Sequence, residues 1–172
     1  KVLELEGITK RFGNLTAVEN LDFDLEYGEI HAVLGENGAG KSTLMNLIYG
    51  LYKPDVGQVR ISGNPAVLNS PRDAISYGIG MVHQHFMLVQ NLTVAENIAL
   101  GLTNRGFRFR RNEACEKVRD LSRRFGFAIN PEAYAWQLSV GLQQRVEILK
   151  ALAAEAQILI LDEPTAVLAP QE

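Results

Sequence analysis

Apolar and polar positions alternate in two runs near the start of the chain. In "KVLELEGI", Val2 and Leu3 lead to Leu5, and in "LDFDLE" the residues Leu21, Phe23 and Leu25 share one face. A period of two predicts half-buried strands. "EIHAVLG" then brings a continuous apolar run, Ile30 to Leu34, that ends in glycine and predicts a buried central strand. From Lys41 the spacing becomes helical. Leu44, Leu47, Ile48 and Leu51 form a stripe, and "KPDVG" breaks it. "GQVRISG" reads as a short strand closed by a turn, and "GIGMV" (78–82) as a second buried strand.

From Phe86 to about Ala135 the pattern is that of helices. Thr93 is placed to cap a helix over Val94–Leu100. Ala114, Val118, Leu121 and Phe125 stripe the next, which starts near Asn112, and Leu142, Val146, Leu149 and Ala153 stripe a third. "AQILILDEP" returns to a buried strand that ends in acid. Strands and helices thus alternate at both ends of the chain around a helical insertion. That order predicts an α/β architecture with a parallel sheet core. No internal repeat or low-complexity tract interrupts it.

Composition narrows the class without naming a function. A chain of 172 residues is expected to form one domain and to bury a sizeable core. Hydrophobic residues make up 47% and charged residues 22%, a balance that excludes disorder. The net charge of −3 supplies no field that would recruit nucleic acid or an anionic membrane. Cys115 is the single cysteine and makes no internal disulfide, which fits a reducing compartment. Apolar runs such as "ILIL" are too short to cross a bilayer, and the opening residues lack a secretory signal. With Lys1 first and Gln171-Glu172 last, directly after an apolar stretch, the chain reads as a piece of a longer polypeptide.

Chemistry enters at "GENGAGKST". Gly35, Gly40, Lys41 and Ser42 match G-x-x-x-x-G-K-[ST], between an expected buried strand and an amphipathic helix. Glycines let the backbone curl so that successive N–H groups face phosphate oxygens, and the helix start adds its positive dipole end. Lys41 is expected to reach the β- and γ-phosphates of ATP or GTP, and the Ser42 hydroxyl to ligate magnesium. The whole loop, Gly35, Glu36, Asn37, Gly38, Ala39, Gly40, Lys41, Ser42 and Thr43, is the candidate nucleotide-binding set. Downstream, "ILILDEP" puts Asp162 and Glu163 where an apolar strand meets solvent. An isolated acidic pair there is a charged strand cap. Paired with an upstream phosphate loop, Asp162 becomes the expected metal-shell carboxylate and Glu163 the general base for the attacking water.

The phosphate loop and the acidic strand, with "LSVGLQQR" between them, resemble the ATP-binding-cassette (ABC) ATPases over essentially the whole chain. The resemblance implies a P-loop NTPase with a mixed or parallel sheet core, an N-terminal antiparallel β part and a helical subdomain insertion. It divides a single domain over 1–172 into a nucleotide-binding core (1–85), a helical subdomain (86–140) that docks on membrane domains, and a signature helix with the Walker B strand (141–172). It also implies ATP and Mg²⁺. The helix beginning at Ser139 looks like the signature helix, whose Ser139 hydroxyl and closely approachable Gly141 backbone would press on the γ-phosphate held by a second cassette. Gln84 matches the glutamine loop that senses magnesium or water, joining Lys41 and Glu163 in the catalytic set and Ser42 and Asp162 around the metal. Phe12, in "KRFG", matches the aromatic that stacks on adenine.

The finer similarity is to the N-terminal cassette of tandem ATPases serving simple-sugar and nucleoside importers, carried by "MVHQHFMLVQNLTVAENIALG", "LSVGLQQRVEILKAL" and "LDEPTAVLAPQE". Its implied partners are a second cassette, in the same polypeptide or as a dimer, transmembrane permease subunits and, indirectly, a substrate-binding protein. The implied location is the cytoplasmic face of the membrane, with no nucleic acid. Two departures stand out: Val140 and Leu142 replace a glycine and the glutamine of LSGGQ, and Ala169 stands where many cassettes carry aspartate. The switch histidine would follow Glu172, since His31, His83 and His85 all lie upstream. "HQH" at 83–85 lacks a third metal ligand, and "RGFRFRR" (105–111) reads first as a solvated loop. Two other functions stay open: a soluble cassette contacting nucleic acid or ribosomes through "RGFRFRR", and a piece that holds ATP without turning it over.

Overall fold

The computed structural model describes residues 1–84, 86–102 and 110–164. The chain separates into two compact units, Lys1–Ile79 and Gly80–Glu172. In the first, the alternating runs become the long strands β1 (Leu3–Phe12) and β2 (Leu15–Leu25), paired antiparallel with Leu3 opposite Leu25 and Leu5 opposite Phe23. The other edge of β1 pairs antiparallel with β3 (Val56–Ile61), which turns at Ser62-Gly63 into β4 (Asn64–Ala66), giving the order β2-β1-β3-β4. Leu3, Leu5, Ile8, Val59 and Ile61 are buried, so period-two patterning gives this sheet one covered face.

Helix α1 (Lys41–Ile48) buries Leu44, Leu47 and Ile48 as the stripe predicts. Leu51 does not belong to it. Gly50, at φ +75°, turns the chain out of the helix, and Leu51 is left exposed. A short helix α2 (Pro71–Ser76) follows, with Ser70 accepting the Asp73 N–H and proline in the first turn.

The expected buried strand at Ile30–Leu34 does not form. The segment joins neither sheet, and Ile30 and Leu34 are 98% and 89% exposed. An apolar run becomes a buried strand only where neighbours take up its N–H and C=O groups. The order β2-β1-β3-β4 holds no place for it.

The second unit begins within β5 (Ile79–Val82), which is buried at all four positions and pairs with β6 (Ile158–Leu161). Expected to be buried throughout, β6 instead alternates: Ile158 and Ile160 are inside while Leu159 and Leu161 face out. One face of β6 is therefore covered and the other open.

Three helices, α3 (Val94–Leu102), α4 (Arg111–Phe125) and α5 (Val140–Ala153), share a core that includes Val94, Ile98, Val118, Val146 and Leu149. On α4 the stripe drifts from expectation at its end. Phe125, next to the αL cap Gly126, is 38% exposed, and Cys115 and Ser122 are buried instead. Among the described residues, no helix is long and apolar enough to cross a membrane.

Thr93 caps α3 as expected, and the cap is reciprocal. Its hydroxyl oxygen accepts the Glu96 N–H at 3.3 Å, and the Glu96 carboxylate accepts the Thr93 N–H at 2.7 Å and its hydroxyl at 2.8 Å. These bonds hold the Glu96 carboxyl below the usual glutamate range. A lowered folded value contributes stability that is present above the unfolded value and lost as pH falls through the folded one. Glu96→Gln should therefore flatten the acid limb of thermal stability below about pH 5. An unchanged limb would contradict this.

Candidate functional site

The phosphate loop is shaped by its glycines. Gly38 and Gly40 sit at φ +86° and +87°, in left-handed backbone that side chains rarely adopt. At Gly40 space forbids a side chain as well, because a β-carbon would stand 2.5 Å from the Ala17 carbonyl oxygen of β2. Gly40 is also the N-cap of α1 and has no capping side chain, and the first turn carries no acid. The opening N–H groups and the dipole end of α1 therefore meet no competing cap or acid from their own helix. Lys41 folds back over the loop: its ammonium donates to the carbonyl oxygens of Gly35 at 2.7 Å and Glu36 at 2.9 Å. Ser42 and Thr43 follow in the first turn, with Ser42 exposed. Glu36, Asn37 and Ala39 complete an exposed loop, closed by the Ala39 N–H on the Glu36 carbonyl at 3.1 Å.

Phe12 ends β1 in the same unit. It is 40% exposed, meets Tyr52 edge-on at 5.1 Å, and has the Lys10 ammonium 5.4 Å from its ring centroid. A half-open ring on the hairpin whose Ala17 touches Gly40 is available for stacking.

The second unit gathers the other predicted residues. The Asp162 N–H donates to the Val82 carbonyl at 3.1 Å, which carries the β5–β6 pairing into the acidic end of β6. Glu163 then takes φ +47°, a left-handed conformation that costs a non-glycine residue about 1–2 kcal/mol. Its carboxylate accepts from the Gln84 side-chain amide at 3.2 Å. Two residues that the sequence placed far apart are thus hydrogen-bonded. Ser139 is the N-cap of α5, accepting the Leu142 N–H at 3.4 Å, with its hydroxyl side exposed; Gly141 is buried in the first turn.

Sequence patterning missed three polar residues that brace this unit. Asn97 is buried on α3 and bonds both polar backbone groups of Val89, while Gln144 and Glu147 are buried on α5. The i,i+3 pair Glu147–Lys150 was the available signal for the last of these. Among the described residues no three His, Cys, Asp or Glu side chains converge to hold a metal. His85 of "HQH", Arg105 to Phe109 of "RGFRFRR", and Ala169 lie outside the described residues.

The family model described as ABC transporter matches residues 18–166. The guanosine import ATP-binding protein NupO of Bacillus subtilis is 55% identical over 99% of this chain, and the nucleoside import ATP-binding protein NupA of Lactococcus lactis is 51% identical over the same share. The chain spans about a third, 34%, of the length of each. Among solved structures, MJ1267, an ATP-binding cassette of an ABC transporter, superposes with a TM-score of 0.88 at 29% identity, over 99% of this chain and 72% of that one. The cassette MJ0796, in a dimeric post-hydrolysis state bound to ADP and Pi, gives 0.80 at 29% identity, over 98% and 77%. With the family model matched over residues 18–166, well over half of its length, the chain belongs to the ABC transporter family of ATP-binding cassettes.

Proposed function

We propose that this chain is the ATP-binding and ATP-hydrolysing cassette of an importer for a nucleoside or simple sugar. One observation carries the reading: a glycine-curled phosphate loop with Lys41 folded over it, in a chain 55% identical to a guanosine import ATP-binding protein. Phe12 stacks on adenine, Gly35 to Thr43 wrap the phosphates with backbone N–H groups, and Lys41 exchanges its loop carbonyls for phosphate oxygens. The donors fit magnesium, since the Ser42 hydroxyl, the Asp162 carboxylate and the Gln84 side-chain carbonyl are hard oxygens. When bound, the ion neutralises phosphate charge. Glu163 takes the proton of the attacking water. Gln84 bonds one carboxylate oxygen, Oε2, and so fixes the direction of the other.

Ser139 and Gly141 serve a second cassette, in the same polypeptide or as a separate subunit, by meeting the γ-phosphate held there. The motor works at the cytoplasmic face of the membrane on permease subunits, which a substrate-binding protein supplies; no nucleic acid takes part. Disrupting the gene should abolish uptake of one labelled nucleoside or simple sugar. Unchanged uptake of all of them would contradict the importer reading. Ser139→Ala should leave ATP affinity of this chain within about twofold while lowering turnover of the assembled pair about tenfold, the worth of one charge-assisted hydrogen bond. Loss of ATP binding by this chain would refute the division of labour.

A further inference from the structure

Two polar side chains on α5 are buried, Gln144 at 6% and Glu147 at 4% exposure. A carboxylate removed from water requires partners. Glu147 has two: Oε1 accepts the Met87 N–H at 2.7 Å, and Oε2 meets the Lys150 ammonium at 2.7 Å. The Lys150 stem lies on α3, where a β-carbon at Gly101 would stand 3.3 Å from its Cγ. Met87 belongs to the segment that carries Gln84, and the same segment is held from α3 at Val89, whose N–H donates to Asn97 at 2.8 Å. One turn earlier on α5, Gln144 donates to the Pro164 carbonyl, the residue after Glu163. The helix that begins at Ser139 therefore grips the backbone beside both Gln84 and Glu163, and those two side chains bond each other.

We propose that Glu147 is a positioning residue for ATP hydrolysis. Its carboxylate holds the backbone of the Gln84 segment against α5, and so sets where Gln84 meets Glu163. An apolar side chain of similar volume would fill the position without the cost of burying charge. What an apolar side chain lacks is an acceptor for one backbone N–H, and that N–H belongs to the Gln84 segment. The catalytic part of this inference rests on the hydrolysis reading given above.

The test uses the full-length polypeptide as wild type, Glu147→Met and Glu147→Gln. Methionine keeps the core filled but offers only a weak thioether acceptor, whereas glutamine keeps an oxygen at Oε1. Hydrogen exchange at the Met87 amide should rise at least about tenfold in Glu147→Met and stay near wild type in Glu147→Gln. The kcat for ATP should fall about ten- to a hundredfold in Glu147→Met with KM within about twofold, and glutamine should restore it. Folded Glu147→Met with wild-type Met87 protection, or with wild-type kcat, would overturn the proposal. So would equal losses in both variants, or a Glu147→Met chain that cannot fold, since each marks a merely structural residue. Should the wild type release no phosphate, the hydrolysis reading fails and the catalytic role of Glu147 with it. The exchange measurement, which needs no turnover, distinguishes that outcome from a missing tether.

Discussion

Glu163→Gln is expected to lower ATP turnover at this site about 10²- to 10⁴-fold, the usual contribution of a positioned general base. The substitution keeps the shape of the side chain and an oxygen that still accepts the Gln84 amide, now at 3.2 Å. It removes only the capacity to take a proton at neutral pH. ATP binding should therefore survive, and the variant should hold nucleotide it cannot consume. Single-turnover phosphate release, measured beside equilibrium ATP binding, checks both halves. Wild-type release would remove Glu163 from the chemistry and leave the acidic end of β6 as a strand cap.

The second large effect is on binding. Lys41→Ala should weaken ATP at this site about ten- to a hundredfold, because a charge-assisted hydrogen bond to phosphate contributes about 1.5–3 kcal/mol. In the structure the ammonium is satisfied by the Gly35 and Glu36 carbonyls, so its loss leaves those acceptors, in an exposed loop, to water. The fold should suffer little and the affinity much. Calorimetric titration of the full-length polypeptide reads this as the loss of one tight ATP per chain. Unchanged stoichiometry and affinity would mean that Lys41 plays no part in holding phosphate.

Features that depend on short segments were legible in the residues. The phosphate loop is specified by glycines and a lysine within one turn of chain, and its helix by the spacing of Leu44, Leu47 and Ile48. The cap at Thr93 and the N-terminus of α5 at Ser139 follow the same local logic. The start of α2 was equally available, since Ser70, Pro71 and Asp73 form a complete N-terminal signature. Features that depend on neighbours were not. Ile30–Leu34 has the composition of a buried strand but no strand beside it in either sheet, and β6 reads as continuous apolar chain although one face is open. Of the site, Gln84 and Glu163 were singled out separately, and only folding reveals their bond. Glu147 was half legible: its spacing to Lys150 could be read from the chain, but its bond to the Met87 N–H is reported by no periodicity.

We propose that ATP is hydrolysed at this chain's own phosphate loop, with Glu163 as the base. The most direct test is phosphate release from Mg·ATP by the purified full-length polypeptide, with Lys41→Ala and Glu163→Gln as paired controls. The predicted result is saturable, magnesium-dependent release that both substitutions reduce at this site. Folded wild-type protein that releases no phosphate above background, or releases it at a rate neither substitution changes, would contradict the claim.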